Sequence, residues 1–266
     1  MIMSTSKYLY PSAILLTLLT LASCQKVVKV NLNNATPQYV IEANVTDQPG
    51  PYTVTITKSV NFDQDNTYPT VSGATVVITD NTAGIIDTLK ETSPGNYTTH
   101  LLAGVSGHTY SLYVNAASSI FTGSSTMPAA ISLDSLYTQS SSFRADDYQV
   151  VPVYTDPIAK GNNYHFVEIK NDSVVSAIYI RNDNLVNGRA VAQPLNGGGG
   201  SKVIPGDVVV VYLECIDSAV YQYYYGLQQS ENANSASPAN PVSNITGGCL
   251  GYFSAHTSSA QSVVVP

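Results

Sequence analysis

Short runs of alternating apolar and polar residues, each ended by turn chemistry, recur through most of this 266-residue chain and constrain its fold more than any other feature. Successive side chains of a strand point to opposite faces, so such runs bury one face and leave the other wet. They fall at 39–45, 52–58, 74–80, 85–92, 96–100, 109–115 and 120–126. Gln48-Pro49-Gly50, Asp80-Asn81, Pro94-Gly95 and Ser106-Gly107 stand at the breaks. Tyr outnumbers Phe by 19 to 5. Tyr, Thr and Val suit half-buried strands, where the ring packs and the hydroxyl stays hydrated.

Seven strands at this spacing predict an immunoglobulin-like sandwich over residues 38–126. The stretch SGATVVITDNTAGIIDTLKETSPGNYTTH reads as strand, turn, strand, Pro-Gly turn, strand, and resembles the transthyretin-like modules of envelope proteins. Pro128 interrupts strand pairing and marks a boundary, after which the pattern restarts at 131–141, 148–154, 164–170, 174–180, 189–193 and 207–216. Asp217 is placed to cap one helix from 218 to about 229. Tyr221, Tyr224, Tyr225 and Gln228 share a face of it, a stripe expected to pack on a core. Residues 251–255 read as a closing strand after a polar stretch over 231–240. The expected fold class is therefore all-β: an immunoglobulin/transthyretin-like sandwich, then a second β-sandwich-like domain over 127–266 with one helix.

The N-terminus carries an address. Lys7 precedes an apolar stretch over 13–21, too short to span a bilayer, for which a helix needs about 20 apolar residues. Basic flank and length fit a secretory signal peptide over residues 1–23. Leu21-Ala22-Ser23-Cys24 resembles the bacterial lipobox of apolar, small, small, Cys. Cys24 is the expected lipidation site, residues 24–37 a tether, and the covalent lipid the sole non-protein group. No later segment approaches 18 consecutive apolar residues, so lipid is the expected membrane attachment.

Eleven Lys+Arg less Lys7, against 18 Asp+Glu, give the mature chain a net charge of −8. An acidic chain without a basic cluster in sequence argues against nucleic acid and against anionic headgroups as partners. Cys215 and Cys249 remain after Cys24, and in an oxidising compartment such a pair reads as a disulfide candidate. Gly197–Gly200 with Ser201-Lys202 has the wrong order for a phosphate loop and reads as a flexible hairpin. His100, His108, His165 and His256 stand alone, without HxH or HExxH spacing, and GxSxG is absent. Catalytic residues and metal ligands are therefore not expected. Asp146, Asp147, Asp156 and the Asn182-Asp183-Asn184 loop hold the weak calcium candidates, Asp156 and Asp183. Asp-Ser/Thr-apolar triplets resemble an envelope O-glycosylation consensus and nominate Thr88, Ser135, Ser173 and Ser218.

The order of motifs along the mature chain is similar to the Bacteroidetes lipoproteins catalogued as domain of unknown function 4249. The matching pieces are YVIEANVTDQPGPYTVTITKS, SGATVVITD, GNYTTH with GHTYSLYV, STMP, YTDPIAKGNNYHF, IRNDNLVNGR, IPGDVVVVYLECIDSAVYQYY and NPVSNITGGCLGYFSAH. The resemblance implies an outer-membrane-anchored, non-enzymatic accessory or ligand-capturing partner of a TonB-dependent transporter. A carbohydrate- or glycoconjugate-binding module and an envelope hydrolase are the alternatives. Cys24-Gln25-Lys26-Val27-Val28-Lys29 lacks the acidic residues that often follow the lipidated Cys of surface-displayed relatives. Both the cell surface and the periplasmic face stay open.

Overall fold

Alternation becomes strand almost wherever the sequence places it. The computed structural model describes residues 36–61, 64–141, 147–196, 202–231 and 240–266. Cys24, Asp146, the glycine run 197–200 and most of the polar stretch over 231–240 lie outside them. The first half folds as β1 (Tyr39–Thr46), β2 (Thr53–Lys58), β3 (Thr75–Asp80), β4 (Ile85–Thr88), β5 (Lys90–Ser93), β6 (Asn96–Thr98), β7 (Thr109–Ala116) and β8 (Ser119–Thr126). The second gives β9 (Leu133–Ser140), β10 (Tyr148–Thr155), β11 (Asn163–Lys170), β12 (Ser173–Val174), β13 (Tyr179–Asn182), β14 (Ala190–Ala192) and β15 (Val208–Ile216). Helix α1 (Ser218–Glu231), β16 (Ile245–Thr246) and β17 (Leu250–Val264) complete it.

Among the described residues these strands form three sheets. One of nine strands runs β12-β11-β15-β17-β1-β2-β6-β5, with β13 beside β11. A five-stranded sheet, β16-β8-β7-β3-β4, faces one end of it, and β14-β10-β9 faces the other. Ile41, Val54, Ile78, Tyr97, Leu112 and Phe253 centre the first core. Tyr154, Tyr164, Phe166, Val211 and Leu213 centre the second. The fold is all-β and sandwich-like, with one helix among the described residues.

Three expectations change. The run 85–92 is two strands, because the chain crosses between sheets at Leu89, which is buried and donates its N–H to Val76 at 2.9 Å. The run 174–180 divides into β12 and β13. The closing strand extends far past Ala255. Residues 250–256 of β17 pair in parallel with β1, and 257–264 pair antiparallel with β15. Ile245, Cys249, Phe253 and Ala255 therefore belong to the first core, and Thr36–Pro266 form one compact unit. A boundary at 126/127 separates the early strands of the two cores but not the sheet that both share. After Ala255 the sequence is rich in Ser and Thr and its alternation is faint. There the ladder to β15 and hydrogen bonds such as Leu133 N–H to Ser259 Oγ, 2.9 Å, hold the strand instead.

The disulfide expectation fails for the same topological reason. Cys215 lies in the second core and Cys249 in the first, and both are free, buried thiols. Burial raises both thiol pKa values, Cys249 to about 11, so neither is a ready nucleophile.

Candidate functional site

The outer face of the nine-stranded sheet carries the polar side chains that the strands keep out of the two cores. By parity His165 on β11, Glu214 on β15 and Ser254 and His256 on β17 share that face. His165 and Glu214 are register partners, and Glu214 opposes Ser258, two residues beyond His256. The carboxylate accepts from His165 Nδ1 at 2.8 Å, and His256 Nε2 lies 3.5 Å from its other oxygen. An ionised carboxylate only accepts, so His165 carries its proton on Nδ1. Ser254 Oγ lies 2.9 Å from His256 Nδ1.

Helix α1 roofs this cluster. Asp217 caps it, accepting from the N–H of Val220 at 2.9 Å, while its second oxygen takes the hydroxyl of Ser125 on β8. Of the expected stripe, Tyr221, Tyr224 and Gln228 engage neighbouring segments, whereas Tyr225 is exposed and stacks on Tyr221. Tyr224 stacks on His165 with ring centroids 4.1 Å apart, Tyr221 takes a hydrogen bond from Asn182, and Gln228 donates to the Ile178 carbonyl. Tyr223, outside the stripe, packs on Tyr252 at 5.0 Å. Burial pushes the Tyr223 hydroxyl up to about 12 and raises Tyr224 and Tyr252 as well, so all three stay protonated.

Burial raises the Glu214 carboxyl, but the hydrogen bond from His165 and the charges of both histidines outweigh it, leaving the group below its usual 4.5. Burial holds His256 below its usual 6.5, with Glu214 opposing that shift and His165 reinforcing it; Asp47 also opposes it. Neutral His256 can accept from the Ser254 hydroxyl at Nδ1 while Nε2 faces Glu214; protonation reverses the first contact, with Nδ1–H donating to Ser254 Oγ. Between the ordinary and the lowered pKa of His256 the unfolded chain binds the extra proton, so stability falls as pH drops through that window. Glu214 adds stability above 4.5 that is lost as pH falls through its lowered folded value. The thermal midpoint, followed by circular dichroism, is therefore expected to decline between pH 7 and pH 5. His256→Gln, which keeps polar contacts without titrating, is expected to flatten that decline; an unchanged slope would show that another group carries it.

Ser254, His256 and Glu214 stand in the order of a hydrolytic triad, but Ser254 is only 1 % exposed, so in this arrangement no substrate carbonyl reaches its hydroxyl. Access exists elsewhere. An open groove of about 260 Å³ lies where α1 begins, lined by Thr126 and Pro128 from one side and by Gly161–Tyr164 and Cys215–Ser218 from the other. Its accessible lining is mainly apolar: Tyr164 beneath it is fully buried, and the side chains of Asn162, Asn163 and Asp217 already hold protein partners.

The four histidines, isolated in sequence, each lie within 3.5 Å of a carboxylate: His100 by Asp87, His108 by Asp80, and the other two by Glu214. A linear reading misses such pairs, because the fold brings together residues 13 to 49 positions apart. The calcium candidates are engaged by protein donors. Asp156 takes the Tyr164 hydroxyl, and Asp183 accepts from the backbone and side chain of Asn162 at 2.9 and 3.2 Å. Among the described residues no group of three or more His, Cys, Asp or Glu is arranged to hold a metal ion. Thr88, Ser135, Ser173 and Ser218 are all exposed, while Asp87 and Asp217 of the same triplets have structural partners. No helix among the described residues is long and apolar enough to cross a membrane.

Among curated proteins none matches significantly. A solved two fibronectin type-III domain segment from chicken tenascin is similar at 11% identity over 69% of this chain and 93% of that one, with a TM-score of 0.21. A family model described as domain of unknown function (DUF4249) matches residues 25–262, nearly the whole length beyond Ser23, and the chain belongs to that family.

Proposed function

We propose that this protein is an outer-membrane lipoprotein, anchored through Cys24, that serves as a non-enzymatic accessory or ligand-capturing partner of a TonB-dependent transporter in a Bacteroidetes-type envelope. The observation that carries this reading is Leu21-Ala22-Ser23-Cys24 at the end of an apolar, signal-like stretch, twelve residues before Thr36 opens the folded unit. Two or more acyl chains make an anchor stable, and confinement beside a partner raises effective concentration enough for a weak interface to work. The groove at the start of α1 is the place where such a protein would hold cargo.

The test is a crosslinked pull-down from native outer membrane after feeding cells an alkyne fatty acid. The intact protein is expected to carry the label and to recover a TonB-dependent receptor, whereas Cys24→Ala does neither. Labelled, well-expressed protein that recovers no membrane partner would overturn the transporter reading and turn attention to glycan arrays.

A further inference from the structure

Outside the groove and the buried cluster, the loops 156–162 and 183–189 stand apart from the rest of the surface. Each presents one large aliphatic side chain almost wholly to solvent, Ile158 at 87 % and Leu185 at 86 % exposure. Leaving either in water is unfavourable, and nothing in the fold requires it. The loops hold each other. Gly188 N–H donates to the Pro157 carbonyl at 3.0 Å, Asp156 N–H to the Arg189 carbonyl at 2.9 Å, and a Cβ at Gly188 would meet Ile158 at 3.2 Å. Asp183 ties the two loops through Asn162, and Val186 and Arg189 close turns within the second loop. Two apolar tips are thus presented on a braced frame rather than on slack chain.

Cations stand at the same place. Lys160 and Arg189 are both exposed there, in a chain with only 11 basic residues and a net charge of −7. The carboxylates of these loops, Asp156 and Asp183, are buried and hydrogen-bonded, while Asp134 and Asp217 lie near the loop bases. The sequence shows no basic cluster because residues 160 and 189 are far apart along it; the fold brings their loops together. Apolar tips flanked by cations are the chemistry of an interfacial membrane contact, with aliphatic groups entering the acyl boundary and cations meeting phosphate.

We infer that loops 156–162 and 183–189 form a second membrane contact, which seats Ile158 and Leu185 in a bilayer surface bearing anionic phospholipid headgroups. The inference rests on the anchor reading above for proximity. The twelve steps of chain from Cys24 to Thr36 reach at most about 40 Å, so an anchored unit stays within range of the headgroups. A contact of this kind would set the orientation of the β unit on the membrane, which a single point of lipid attachment does not fix.

The chain contains no tryptophan, so a single one reports its own surroundings. Mature protein would be extracted from cells expressing the full chain as Ile158→Trp, Leu185→Trp or, as control, Ile86→Trp, an exposed position on β4. Each is reconstituted in phosphatidylcholine vesicles with and without phosphatidylglycerol. Ile158→Trp and Leu185→Trp are expected to shift to the blue and to be quenched by lipids brominated on the acyl chains, more so with phosphatidylglycerol. Ile86→Trp is expected to do neither. Adding Lys160→Glu and Arg189→Glu to Ile158→Trp is expected to abolish the phosphatidylglycerol dependence. Mass spectrometry of the same preparation reports lipidation separately: unlipidated protein counts against the anchor, whereas lipidated protein with water-exposed, unquenched tryptophans at 158 and 185 overturns the second contact. A shift seen only on adding solubilised membrane protein would assign the tip to a protein partner and likewise overturn it.

Discussion

Replacing Gly251 by alanine is expected to destabilise the protein by at least about 4 kcal/mol, a large share of the 5–15 kcal/mol typical of a folded domain. Gly251 has φ of +94° and opposes Ile41 in the parallel pairing of β1 with β17. A Cβ there would sit 2.0 Å from the Ile41 carbonyl oxygen and 2.7 Å from its carbon, so the backbones would have to part. That pairing covers seven register positions and joins the last strand of the chain to the first. Gly248 is the matched control. Its φ of +80° carries the same strain, but a Cβ would meet nothing within 4 Å, so Gly248→Ala should cost only about 1 kcal/mol. Urea denaturation of both variants separates contact from strain. Equal, small losses would mean that β1 and β17 are not packed as closely as described.

Asp87→Ala is expected to cost about 3–5 kcal/mol, because one fully buried carboxylate organises the turn after β6. Its Oδ2 accepts three consecutive backbone N–H groups, from His100 at 2.9 Å, Leu101 at 2.7 Å and Leu102 at 2.9 Å. His100 Nδ1 lies 2.8 Å from the other oxygen. Alanine would leave three donors without their acceptor. Burial opposes ionisation, yet the three N–H groups and His100 prevail and hold the carboxyl below its usual 3.8. That stability is present above pH 3.8 and is lost as pH falls through the lowered folded value. Asp87→Asn keeps an acceptor without the charge, so it should fall between wild type and alanine and remove this part of the acid dependence. A midpoint in urea for Asp87→Ala within error of wild type would refute the role. The same residue opens the Asp87-Thr88-Leu89 triplet, and its burial gives that aspartate a reason to be present whether or not Thr88 carries a glycan.

The alternation in YVIEANVT, TVVITD and TYSLYVNA is enough to place β1, β3 and β7, since period-two burial is a local property of a strand. The helix is equally legible, because an Asx cap and a stripe at helical spacing are both local signals. The readings of the N-terminal stretch and of Cys24 rest on sequence alone, since both lie outside the described residues. What the sequence could not yield depends on which strands meet. The run from Thr257 to Val264 has no strong alternation and is strand because β15 offers it a ladder. Cys215 and Cys249 look like a pair until the two cores separate them. His165, Glu214 and His256 become one cluster, and Ile158, Lys160, Leu185 and Arg189 one tip, only after pairing and loop packing join distant segments. Local periodicity determined the elements; long-range register, which no short window contains, decided the cores, the buried charges and the joining of distant loops.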